Sequence, residues 1–258
     1  MKKLVLTQYQ DDHNLALVAL NNPPLNLSTR ELKNHLLEVL TGLDSACKAV
    51  VIYGEGEKAF SVGSDIKELH QATRSRSVIE RAEHENFLND CIADFNKPII
   101  AALHGYVLGG GLELALACDL RVCDAHTVMA LPEIKLGLFP GGGGSERLPR
   151  LVGYARAMEM ILTGESIDAQ RALLIGLVNR IATEQSSLQE AIQLARLISR
   201  HSLSAIMRVK QLLKASMEHD FSTANRMAQT RTWEAFSSPE GREGVSAFLE
   251  KRSPQFQD

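Results

Sequence analysis

The chain has 258 residues, enough for one large or two small domains with a sizeable core. Hydrophobic residues make up 45%, charged residues 23% and aromatic residues 5%, which excludes disordered, collagen-like and disulfide-scaffold classes. A formal net charge of -3 supplies no basic field for nucleic acid or an anionic membrane surface.

Met1, Lys2 and Lys3 precede only Leu4-Val5-Leu6, too short an apolar region for a signal peptide, so the expected compartment is the cytoplasm. Residues 4–9 and 15–20 are short apolar segments joined by a polar stretch, the pattern of a hairpin. After the break at Pro23-Pro24, Leu32, Leu36, Leu37, Leu40 and Leu43 recur at helical spacing. Ser28 with Glu31 predicts a capping box at the start of that helix, and Gly42 predicts its end. Residues 49–53 are continuously apolar and stop at Gly54, as in a strand buried on both faces.

The alternation repeats. A helix is predicted over 79–95 with Phe87, Leu88, Cys91, Ile92 and Phe95 on one face, then a strand over 99–103, a short helix over 112–118, and strands over 120–123 and 127–131. Helices follow over 155–162, 168–174, 188–200, 204–218 and 221–236. Alternating strands and helices imply an α/β core. No Gly-, Pro- or Ser-rich linker divides the chain, so one domain over 1–258 is expected, a core over 1–200 and a helical region over 201–258. The uncharged run 98–112 carries His104 and four glycines, so no membrane span is expected. Cys47, Cys91, Cys118 and Cys123 lack the spacing of a zinc site and are expected to be reduced core residues; no metal is expected.

Three glycine-bearing loops can carry chemistry. In Ala59-Phe60-Ser61-Val62-Gly63-Ser64-Asp65-Ile66-Lys67-Glu68, Gly63 permits a sharp turn and Ser64 or Asp65 can cap a helix running to about Ala72. N–H groups at such a start can hold an anion or a polarised carbonyl. In His104-Gly105-Tyr106-Val107-Leu108-Gly109-Gly110-Gly111-Leu112-Glu113, the glycines permit close approach of the backbone to a ligand, without the pattern of a phosphate-binding P-loop. In the third, Glu133 stands between Pro132 and an apolar stretch, where desolvation favours a proton-transfer role, and residues 141–144 are all glycine. Taken singly, each has a plainer reading: a helix start at Gly63, tight packing at 109–111, a dipole partner at Glu113 and a surface turn at Glu133.

Taken together and in this order, the segments resemble the enoyl-CoA hydratase/isomerase (crotonase) family, as do residues 105–119, the stretch from Pro132-Glu133-Ile134 through Gly144-Ser145, and the terminal segment 240–252. The resemblance implies a crotonase-like spiral of repeated strand-strand-helix units with a helical C-terminal trimerisation region. It implies reversible hydration of 2-enoyl-CoA to 3-hydroxyacyl-CoA, with the backbone N–H groups of Ser64 and Gly110 as the oxyanion hole and Glu113 and Glu133 as the catalytic pair. Val62, Ser64, Asp65, Ile66, Lys67, Gly110, Gly141 and Lys251 then bind the substrate, whose coenzyme A moiety is its own; no separate cofactor is expected. Expected partners are an acyl-CoA and further copies of the chain, as a trimer or dimer of trimers.

Within the same family an enoyl-CoA isomerase or a specialised acyl-CoA dehydratase is the alternative. A non-catalytic CoA-binding protein is a third, opposed by the presence of both glutamates. Two residues depart from the family pattern: Ser64 stands where Ala or Gly is usual, and Glu146 where Gln is common. The polar segment 71–85 corresponds to a region that shapes acyl selectivity in the family.

Overall fold

The computed structural model describes residues 3–11, 13–72 and 77–256. Met1, Lys2, Asp12, residues 73–76 of the polar segment 71–85, and residues 257–258 at the end of the expected domain lie outside the described residues.

Strands β1 (Val5–Gln10) and β2 (Leu15–Leu20) form the expected antiparallel hairpin. Helix α1 (Arg30–Thr41) follows and ends at Gly42, but its cap is Thr29, whose hydroxyl accepts from the Leu32 N–H at 3.2 Å. The predicted Ser28/Glu31 capping box is therefore not formed. Ser28 instead pairs with the backbone at Ser64 and donates its N–H to the Gly63 carbonyl at 2.8 Å, so tertiary pairing overrides the local capping signal.

From there the chain winds in repeating units of a long strand, a short strand and a helix. The first unit is β3 (Ala49–Gly54), β4 (Ala59–Ser61), α2 (Ile66–Ala72) and α3 (Ser77–Ala93). The second is β5 (Ile99–Leu103), β6 (Tyr106–Leu108) and α4 (Gly110–Ala117). The third is β7 (Leu120–Asp124), β8 (Val128–Ala130), a 3-10 helix (Pro132–Leu136), α5 (Gly144–Val152) and α6 (Tyr154–Thr163). Then come β9 (Ile167–Asp168), α7 (Ala169–Leu174), β10 (Arg180–Ala182) and α8 (Ser187–Ser199). The chain closes with α9 (Leu203–Glu218), α10 (Phe221–Ser237) and α11 (Pro239–Leu249). The short strands β4, β6, β9 and β10 and the helices α5 and α11 add to the predicted elements.

The long strands form one sheet in the order β1-β2-β3-β5-β7-β10, and the short ones a second in the order β4-β6-β8-β9. In the first sheet alternate residues face opposite ways, and both faces are covered. Leu15, Leu17, Val51 and Ile100 pack against Ala191, Leu194 and Ala195 of α8. Val18, Val50, Ile52 and Ile99 join the core of Leu32, Leu36, Leu88, Ile92 and Leu112 from α1, α3 and α4. Each such Leu or Ile contributes about 1.5–3 kcal/mol relative to an exposed position.

The face of α3 is rotated from the expectation. Phe87 is exposed, whereas Leu88, Asn89 and Ile92 are buried. All four cysteines are free thiols; Cys47, Cys118 and Cys123 are buried and Cys91 is half-buried. Helix α9 is tied to the core by Lys210, whose Nζ donates to Asp119 at 2.8 Å. Phe221, Trp233, Phe236, Phe248 and Leu249 of α10 and α11 are exposed. Among the described residues no helix is long and apolar enough to cross a membrane.

Candidate active site

The second sheet brings the three loops together. Strands β4, β6 and β8 are parallel neighbours, with Ser61 beside Val107 and Leu108 beside Ala130, so their carboxyl ends lie along one edge. The loops leave from that edge: Val62, Gly63 and Ser64 after β4, Gly109 and Gly110 after β6, and Leu131, Pro132 and Glu133 after β8.

Gly63 adopts φ +83°, and a Cβ there would lie 2.6 Å from the Gly110 nitrogen and 2.9 Å from the Leu108 carbonyl oxygen. The Gly63–Ser64 turn thus abuts the start of α4, which puts the two predicted N–H donors, Ser64 and Gly110, on adjoining turns. Helix α4 begins at Gly110 with Gly109 as its cap and no side-chain cap, so its first-turn N–H groups are directed out of the helix. The Ser61 hydroxyl supports the turn, accepting from the Gly63 N–H at 3.2 Å and donating to the Asn26 carbonyl at 2.7 Å. Asp65, with its carboxylate accepting from the Lys67 N–H at 2.8 Å, begins α2. Ile66 and Lys67 are exposed there, and Val62 is half-buried.

Glu113 is buried in the first turn of α4, with 3% of its surface exposed. Its Oε1 accepts from the N–H groups of Gly142 at 2.7 Å and Gly144 at 2.9 Å. The glycine run at 141–144 is thus a cradle for this carboxylate: a Cβ at Gly144 would lie 2.9 Å from Glu113 Oε1 and 3.2 Å from its Cγ. Gly141 is half-buried at the head of the run, beside the Phe139 ring.

Glu133 sits in the 3-10 helix that Pro132 opens and Gly137 closes in the left-handed conformation, φ 72°. Its Oε1 is 2.9 Å from where a Cβ on Gly109 would be, and its Oε2 is buried. The apolar neighbours Ile134 and Leu136 are themselves exposed. The carboxylate lies against the Gly109 turn.

Lys251 is exposed in a left-handed turn, φ 54°, after α11. Glu146 is exposed on α5 and lines a separate cleft of about 1100 Å³ with residues such as Asp90, Arg147, Lys210 and Leu213; Glu113 and Glu133 are not part of its lining. Among the described residues no three His, Cys, Asp or Glu side chains are grouped as a metal site needs. Sequence reasoning missed Gly142 and Gly144 as partners of Glu113, and Asn89, whose side-chain amide donates to the Gly142 carbonyl at 2.7 Å. No local signal marks these contacts, which join residues distant in sequence; the run of glycines itself was the only sign of a cradle.

Known proteins give the same picture. Residues 10–258 match the family model described as enoyl-CoA hydratase/isomerase. A probable enoyl-CoA hydratase of Bacillus subtilis (strain 168) is 39% identical over 250 residues, covering 95% of this chain and 96% of the relative. The 2,3-dehydroadipyl-CoA hydratase of Escherichia coli (strain K12) is 37% identical over 263 residues, covering 99% of both. A crystal structure of an enoyl-CoA hydratase from Geobacillus kaustophilus HTA426 superposes with a TM-score of 0.94 at 33% identity, covering 100% of this chain and 97% of that one. The three ordered loops, the strand-strand-helix spiral that joins them and the full-length matches agree, and the chain belongs to the enoyl-CoA hydratase/isomerase family.

Proposed function

We propose that the chain hydrates 2-enoyl-CoA thioesters reversibly to 3-hydroxyacyl-CoA. The observation that carries this reading is the convergence of two carboxylates on one glycine-built helix start: Glu133 against Gly109, and Glu113 one turn into α4. Relatives of similar identity bear hydratase names, which supports the same reaction.

In this reading the thioester oxygen accepts from the N–H groups of Ser64 and Gly110, which stabilise the negative charge that builds there during addition. One such donor is worth about 3 kcal/mol of barrier. The water oxygen bonds to the β-carbon, one of its protons passes to a glutamate carboxylate, and a proton is delivered to the α-carbon. Glu133 carries the main transfer at the α-carbon, and Glu113, fixed by two N–H groups, orients and activates the water. Loss of crotonyl-CoA absorbance on adding enzyme, with 3-hydroxybutyryl-CoA as product, tests the proposal. Turnover of 3-enoyl-CoA without hydration of crotonyl-CoA would replace it with the isomerase reading.

Val62, Asp65, Ile66, Lys67, Gly141 and Lys251 complete the substrate site, with Lys67 and Lys251 meeting the phosphates of coenzyme A. Lys67→Ala or Lys251→Ala then raises KM for acyl-CoA more than it lowers kcat, because these contacts are remote from the reacting bond. With pantetheine thioesters, which lack the nucleotide, the effect disappears; an equal loss with both substrates would remove the lysines from CoA binding.

The exposed Phe221, Trp233, Phe236 and Phe248 support a homo-oligomer built on trimers through α9, α10 and α11. Light scattering at micromolar protein is expected to show a trimer or a multiple of it, and a monomer alone would contradict this. The reaction needs no separate cofactor, and four free thiols fit a reducing, cytoplasmic setting.

A further inference from the structure

We propose that Asn89 is a positioning residue for Glu113, acting through the backbone of Gly142. This inference rests on the assignment of Glu113 to the chemistry of hydration. Asn89 lies on the buried face of α3 with 2% of its surface exposed, a polar residue between the core residues Leu88 and Ile92. Its side-chain N–H donates to the Gly142 carbonyl at 2.7 Å, and the Gly142 N–H in turn donates to Glu113 Oε1 at 2.7 Å. One residue therefore links the helix amide to the carboxylate.

Gly142 needs such a clamp because its run of four glycines has more backbone freedom than any other tetrapeptide of the chain. Left unrestrained, the peptide planes on either side of Gly142 can turn, and its N–H leaves the carboxylate. Arg147 gives the same carbonyl a longer contact of 3.4 Å while its other terminal nitrogen pairs with Asp90 at 2.5 Å, so Asn89 supplies the shorter of the two restraints. Asn89 and Asp90 of α3, with Arg147 of α5, thus hold the outer side of the loop that cradles Glu113 on its inner side. A buried amide amid apolar side chains weakens the core unless it is hydrogen-bonded, and the carbonyl it reaches is the one that fixes this cradle.

The test is a double-mutant cycle on crotonyl-CoA hydration. Asn89→Ala is expected to lower kcat by about tenfold or more, part of the loss that a small misplacement of a reacting group causes, with KM changed by less than about twofold. Placed on Glu113→Gln, the same change is expected to cost less than about twofold, because the residue acts only through that carboxylate. Asn89→Leu is close in volume, lacks the donor without adding a charge, and carries the same comparison if the alanine variant fails to fold; melting curves identify which variants are folded. An equal loss in both backgrounds, a rise in KM matching the fall in kcat, or a kcat within about threefold of the parent overturns the proposal. Glu113→Gln retaining the parent rate overturns it by a different route, since the assignment of Glu113 itself then fails.

Discussion

Glu113→Gln and Glu133→Gln are each expected to lower kcat for enoyl-CoA hydration by about 100-fold or more, the scale of general acid–base catalysis, while leaving the fold intact. The substitutions are close to isosteric. In Glu113→Gln the side-chain carbonyl oxygen can still accept from Gly142 and Gly144, so the cradle that holds Glu113 at 2.7 and 2.9 Å keeps its geometry while the proton acceptor is lost. Glu133→Gln leaves the side chain in place against Gly109 in the same way. A factor of 100 corresponds to about 2.7 kcal/mol of barrier, well above the cost of a local repacking that changes rate by about threefold, or 0.65 kcal/mol. Steady-state kinetics with crotonyl-CoA, with melting temperature as the control, checks this. A residue whose replacement leaves kcat within about threefold of the parent is not catalytic.

The Gly63–Ser64 turn, proposed to hold the thioester oxygen, gives an effect of similar size. Gly63→Ala is expected to lower kcat by about 100- to 1,000-fold, the cost of losing one preorganised donor. At φ +83° an L-residue is strained, and the added Cβ would sit 2.6 Å from the Gly110 nitrogen and 2.9 Å from the Leu108 carbonyl oxygen, both backbone atoms that cannot swing aside. Either the Ser64 turn or the start of α4 must move, which separates the two N–H groups. Gly244→Ala is the matched control: its Cβ would rest 3.8 Å from the Phe256 ring, an ordinary contact, and kcat should not change. Parent-like kcat in Gly63→Ala would show that the Ser64 and Gly110 turns do not act as a fixed pair.

Much of this arrangement is legible in the residues. The strand over Ile99–Leu103 is a continuous apolar run that Pro98 bounds, and the structure has it at the predicted limits. The order of the three glycine loops identifies the family, and the family identifies the spiral. What escapes sequence reasoning is nonlocal. Strands β4 and β6 have three residues each, too few for a period-two pattern, and exist because they pair with each other and with β8. Ser28 has every local feature of a helix cap, yet pairs with Ser64. The buried face of α3 turns away from Phe87 and carries Asn89, whose amide reaches Gly142, a residue distant in sequence. Glu133 lies against the Gly109 turn of another unit, a contact its sequence neighbours do not announce. The long strands and helices follow from composition and spacing, whereas the support of each carboxylate depends on how successive turns of the spiral stack.

In the proposed reaction, water adds across the double bond of a 2-enoyl-CoA thioester. Running the reaction on crotonyl-CoA in water labelled with heavy oxygen, and following the mass of the product and its fragments, tests it most directly. Addition at the β-carbon predicts 3-hydroxybutyryl-CoA with one labelled oxygen on the hydroxyl and none on the thioester carbonyl, at a rate that falls with Glu113→Gln and Glu133→Gln. Recovery of unlabelled crotonyl-CoA, or of free acid and coenzyme A with the label in the carboxyl group, would contradict it.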